Sequence, residues 1–242
     1  MTRIRLLSWT VLLGAAATPS CATPVDSVDG VARGQELFQS RALSTSHINL
    51  YTCATCHDAE VAGIQVKTGA LLAGATLRPS FWGGQINDLL AAIDECRSNF
   101  MGASQPLSSD EPDAVALYQY LTSLEPGNPE PVPFSTVRII DDPLERGNAA
   151  DGAVLYERAC GYCHGEISSA TGRLGERVPR LPEQGIAEHE GYTPRLLRLV
   201  FIEKVRHGRF FGYGGDMPPF SREVLSDREL ADILEALGLT GE

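Results

Sequence analysis

The chain has 242 residues, with 20 basic and 31 acidic side chains and a formal charge of −11. At roughly 100–200 residues per domain it makes one large domain or two small ones. An apolar content of 43% excludes global disorder. Neutralising phosphates takes clustered Lys and Arg, so no nucleic acid is expected as the main partner. Acidity alone suits solubility or docking on a basic surface.

Residues 1–22 are predicted to be an export signal. Arg3 and Arg5 form a short basic region, and Leu6 to Ala17 is an apolar run of twelve residues, too short for a spanning helix. Thr18-Pro19-Ser20-Cys21 suits a lipoprotein signal, with Cys21 acylated as the first mature residue. Ordinary cleavage after Ala22 is the alternative. No later stretch is long and apolar enough to cross a bilayer. The body is therefore expected in the periplasm, or anchored on the extracytoplasmic side of a membrane.

The remainder contains an internal repeat. Gly34-Gln35-Glu36-Leu37-Phe38 opens a helical pattern, and Gly152-Ala153-Val154-Leu155-Tyr156 does the same. Cys53-Ala54-Thr55-Cys56-His57 follows the first and Cys160-Gly161-Tyr162-Cys163-His164 the second. Each half then has a proline, Pro79 or Pro179, and an amphipathic helix, about 86–97 or 193–207. A methionine loop comes next, with Met101 or Met217, and a closing helix, about 110–124 or 226–238. Spacings of three and four put Val115, Leu117, Tyr118 and Leu121 on one core face, and Leu230, Ile233, Leu234 and Leu237 on the other.

The halves differ in one place. Phe38 to Cys53 is 15 residues but Tyr156 to Cys160 is 4, so the first half carries an 11-residue insertion around 39–49. Between the halves, Pro126 to Pro133 holds four prolines in eight residues. Such a stretch cannot continue a helix and favours a semi-rigid connector of roughly 25 Å. The organisation expected is 28–126, a linker at 127–137, and 138–242.

Cys-x-x-Cys-His is a covalent haem attachment signature. Two thiols on one turn add to the porphyrin vinyl groups, and the adjacent histidine lies under the iron. Two covalently attached haem c groups are expected, on Cys53 and Cys56 and on Cys160 and Cys163, with His57 and His164 as iron ligands. A single zinc site fits poorly, because the pairs lie about a hundred residues apart and each has its own histidine. Met101 lies 44 residues after His57 and Met217 lies 53 after His164, each between two predicted helices. Met217 stands in Gly214-Gly215-Asp216-Met217-Pro218-Pro219-Phe220, a stiffened loop outside any helical stripe. Both methionines are taken as sixth ligands, a known haem pattern.

On these motifs residues 28–242 resemble a di-haem class I cytochrome c, most closely from Gly152 through Met217 to the last helix. The resemblance implies an all-α fold of two tandem class I cytochrome c domains. It implies that the first and last helices of each domain cross. It also implies that Pro79 and Pro179 offer backbone carbonyls to the ring N–H of His57 and His164.

Cys96 is left over. It is a small buried residue, or a disulfide partner of Cys21, or the ligand of the first iron in place of Met101. The last option resembles thiosulfate dehydrogenases, two-domain di-haem cytochromes with His/Cys ligation at the catalytic haem. Register against the second half favours Met101 weakly. The expected function is therefore single-electron carriage between redox proteins rather than catalysis. The alternative is a sulfur-compound oxidoreductase with His57/Cys96 at the first haem. Arg195, Arg198, Lys204, Arg206 and Arg209 are expected on a solvated helix face.

Overall fold

The computed structural model describes residues 27–124, 127–210 and 215–242. The expected export signal, Cys21, Pro126 and Gly214 lie outside the described residues. Among the described residues the regular structure is all-α, apart from one isolated antiparallel bridge between Phe81 and Ile86.

The first half holds α1 (Ser27–Gln39), α2 (Cys53–Cys56), α3 (Leu89–Asn99) and α4 (Pro112–Ser123). Thr52 and Thr55 form a reciprocal cap on α2, Asp88 accepts from the Ala91 N–H at the start of α3, and Pro112 starts α4, where its missing N–H costs nothing. The second half holds α5 (Ala149–Tyr156), α6 (Tyr162–His164), α7 (Glu183–Ala187), α8 (Pro194–His207) and α9 (Asp227–Ala236). A widened turn over Glu157–Gly161 runs α5 straight into α6. The first half instead inserts the extra residues between α1 and α2. Ser226 and Glu229 cap α9 reciprocally.

In both halves the first helix packs against the last, α1 on α4 and α5 on α9. The repeated glycines set the approach. A Cβ on Gly34 would lie 2.1 Å from the Ala116 carbonyl oxygen, and one on Gly152 would lie 1.8 Å from that of Asp232. Only a residue without a side chain lets the backbones come this close. Two cores result, one around Leu37, Phe38, Leu117 and Leu121, the other around Tyr156, Phe201, Leu230 and Leu234. Leu230, Ile233, Leu234 and Leu237 are all buried, as their spacing predicts. Val115 and Tyr118 are not, at 39% and 53% exposed. Close packing on α1 turns Ala116 and Tyr120 inward, which rotates the buried stripe of α4 away from Val115 and Tyr118.

Arg195 of α8 is exposed as expected, but two other arginines of that helix are not. Arg198 and Arg206 are 1% and 3% exposed. Arg206 donates to the carbonyls of Phe220, Ser221 and Leu225 and pairs with Asp227 at 2.6 Å. Arg198 donates to the carbonyls of Pro143, Glu145 and Leu239 and pairs with Glu235. A guanidinium has five donors, enough to satisfy loop carbonyls that burial removes from water.

Residues 127–137 carry no helix or strand and run along both halves. Arg78 donates to the Asn128 carbonyl, His207 Nε2 donates to that of Val137 at 2.6 Å, and the Ser135 hydroxyl and N–H donate to Glu223. The halves also touch directly. Val66 N–H donates to the Arg158 carbonyl at 2.9 Å, and Arg158 Nε donates to that of Ile64 at 2.8 Å. Trp82, Phe100, Phe134 and Phe210 form one aromatic cluster drawn from both halves and the connector.

Candidate metal centres

In the first half, α2 places Cys53 and Cys56 one turn apart. His57 follows in extended backbone, its N–H donating to the Cys53 carbonyl at 2.9 Å. The His57 Nδ1 donates to the Ala70 carbonyl at 2.8 Å, which leaves Nε2 as the basic nitrogen. Pro79 is therefore not the partner. Gly69 N–H donates to the Cys56 carbonyl at 2.8 Å and folds the chain under the ring, well before Pro79 is reached. A Cβ on Gly69 would lie 2.2 Å from the ring Cε1, so glycine alone fits there.

Beside this motif is a cavity of about 330 Å³. Cys53, Cys56, His57, Cys96 and Met101 all line it. Pro133 and Phe134 of the connector and Pro218 and Pro219 of the second half line it too. Met101 is 4% exposed, in the turn that ends α3, while Cys96 lies in α3 itself. Both alternatives for the sixth ligand thus meet one cavity. Burial pushes the Cys53 thiol up to about 12 and that of Cys56 to about 11, and raises Cys96 as well. Burial also lowers His57, keeping the imidazole neutral with a lone pair to offer.

In the second half, Cys160 sits in the widened turn, and Cys163 and His164 in α6. His164 is buried, and its Nδ1 donates to the Pro179 carbonyl at 2.9 Å, the expected partner. Met217 is half-buried and packs with Cys160 against the second core. The Met217 carbonyl accepts from the Arg209 N–H at 3.0 Å. Gly208 lies against it with φ 51°, where a Cβ would fall 2.5 Å from that oxygen. Burial raises both thiols to about 12 and lowers His164.

These donor sets fit haem c. Each offers two protonated thiols, an imidazole held by its Nδ1, and a thioether, and the first adds an apolar cavity. Among the described residues no group of three His, Cys, Asp or Glu side chains is placed to hold a bare metal ion. Two contributors carry no sequence signal: Gly69 and Lys67. Lys67 Nζ reaches the carbonyls of Ala54 at 2.8 Å and His57 at 3.1 Å, and the Asp58 carboxylate at 2.8 Å. It caps the carbonyl end of α2 with a cation.

Residues 147–235, from just before α5 almost to the end of α9, match the family model described as cytochrome C oxidase, cbb3-type, subunit III. Residues 147–235 are therefore similar to a cytochrome c domain. Such a domain binds haem c covalently, transfers electrons and works with redox partners. No curated protein matches the chain at a significant level. Among solved structures, a thiosulfate dehydrogenase (TsdBA) from Marichromatium purpuratum, in its as-isolated form, is similar at 16% identity with a TM-score of 0.42. The likeness covers 91% of this chain and 48% of that one. No helix among the described residues is long and apolar enough to cross a membrane.

Proposed function

We propose that the chain is an exported di-haem c-type cytochrome that carries single electrons between redox partners outside the cytoplasm. The repetition of one arrangement in both halves supports this reading. In each half a histidine bonded through Nδ1 to a backbone carbonyl follows two thiols, and a methionine loop follows behind. When bound, haem c supplies an iron that cycles by one electron. Cys53 and Cys56 hold the first group and Cys160 and Cys163 the second. His57 with Met101, and His164 with Met217, would ligate the two irons and leave no coordination position for a substrate. The two units are residues 28–126 and 138–242, joined by 127–137. An acylated Cys21 would keep the chain at a membrane surface; cleavage after Ala22 would release it.

Cys96 favours a second reading, because it lines the same cavity as Met101. With Cys96 on the first iron, that site becomes catalytic for sulfur compounds such as thiosulfate, and the second site relays the electrons.

Haem content tests the di-haem assignment. The intact mass of the purified holoprotein should exceed that of the polypeptide by two haems. Cys53→Ala with Cys56→Ala should remove one of them. A single haem on the unaltered chain would contradict the assignment.

A further inference from the structure

The insertion around 39–49 has no counterpart in the second half, and the structure shows what it touches. The Ser44 hydroxyl donates to the Met101 carbonyl at 2.7 Å and accepts from the Ser46 N–H at 3.1 Å. Arg97, buried in α3, donates from Nε to the Leu43 carbonyl at 2.9 Å. Its Nη1 donates to the Gln105 carbonyl at 3.1 Å and pairs with Asp94. One guanidinium thus ties the insertion to both flanks of Met101. Gly102, with φ 66°, packs on Ser46, the hydroxyl lying 3.0 Å from where its Cβ would be.

The insertion is itself fixed. Leu43 is buried in the first core. Asn49 is buried too, donating to the Arg41 carbonyl and accepting from the Tyr51 N–H at 2.8 Å. The Met217 carbonyl is held differently, by the backbone N–H of Arg209 in its own segment. One thioether segment is therefore bolted to the core by a separate piece of chain, and the other is held locally.

We infer that residues 39–49 are a clamp that keeps Met101 at the first iron, with Ser44 as its positioning residue. This rests on Met101 ligation as proposed above. Detaching Met101 requires its segment to move, and the Ser44 bond opposes that movement. Met101 is held against the core, while Cys96 stays in the body of α3.

The test uses the full-length oxidised holoprotein as wild type, Ser44→Ala and Ser44→Thr. The methionine-to-iron charge-transfer absorption is followed during titration with imidazole, which competes for the sixth position. Thermal unfolding is recorded in parallel. Wild type should lose the absorption in two phases, one per site. Ser44→Ala should move one phase to about five-fold lower imidazole, the effect of losing one ordinary hydrogen bond, and leave the other in place. Ser44→Thr keeps the hydroxyl and should restore the wild-type titration. Both phases unchanged in Ser44→Ala, with or without a lower unfolding midpoint, would overturn the clamp. So would equal movement of both. Absorption from one site only in wild type would instead contradict Met101 ligation itself, and the clamp would fall with it.

Discussion

The Nδ1 of His57 lies 2.8 Å from the carbonyl oxygen of Ala70, and the residue before Ala70 is the glycine against the ring. A methyl group at position 69 would sit 2.2 to 2.7 Å from three ring atoms, too close for van der Waals contact. Gly69→Ala should push the imidazole off its carbonyl. The expected cost is about 1–3 kcal/mol, as for other overpacked sites. Haem incorporation should fall at the first site and stay normal at the second, read from haem per chain and from denaturant unfolding.

Lys67 places a cation, largely shielded from water, against the His57 carbonyl. A nearby positive charge favours the reduced iron. Lys67→Met should lower the reduction potential of the first site only, by an amount on the order of 1 kcal/mol. Potentiometric titration resolving two sites would show it; movement of the second potential alone would contradict it.

Arg206 satisfies three buried carbonyls in the stretch just after Met217. Arg206→Met would strand these carbonyls, while the Asp227 carboxylate keeps Arg222 at 2.9 Å. The expected loss is about 1–3 kcal/mol, the usual penalty for leaving buried acceptors without a donor. During unfolding followed by absorption, the second site should release its methionine before the first does.

Glu223 joins the second half to the connector. The hydrogen bond from the Ser135 hydroxyl, with the Ser135 N–H in support, holds its carboxyl down to about 2 from an ordinary 4.5. The folded state thus binds the proton less readily than the unfolded one. The stabilisation is fully present above about pH 4.5 and is lost as pH falls toward 2. The group is mostly exposed, so the contribution is below about 1 kcal/mol. Glu223→Gln should flatten the wild-type fall in stability between those pH values, measured by denaturant unfolding across the range.

Much of this was legible in the sequence because it depends on local spacing. The two Cys-x-x-Cys-His motifs and the helix periodicity of α9 lie where a short stretch of chain dictates them, whereas the Pro179 carbonyl followed only from the resemblance to a class I cytochrome c. The Ala70 carbonyl did not stand out, because a backbone oxygen carries no residue signature; the cue was its spacing of 13 from His57, close to the 15 between His164 and Pro179. The burial of Arg198 and Arg206 departs from the sequence expectation because charge implies solvent unless distant carbonyls supply partners. Val115 and Tyr118 were misplaced because the tight approach at Gly34, not apolar periodicity alone, sets how α4 is rotated. The bond from Ser44 to Met101 spans 57 positions and could be found only in three dimensions.

The central claim is that each half sets a methionine opposite its histidine. The visible and near-infrared spectrum of the oxidised holoprotein, normalised to haem content, tests it most directly. Methionine-to-iron charge-transfer absorption equivalent to two sites is predicted, halved in Met101→Ala and halved in Met217→Ala. Absorption for one site only, insensitive to Met101→Ala and accompanied by a thiolate signature that disappears in Cys96→Ala, would contradict it and make the first site a catalytic one.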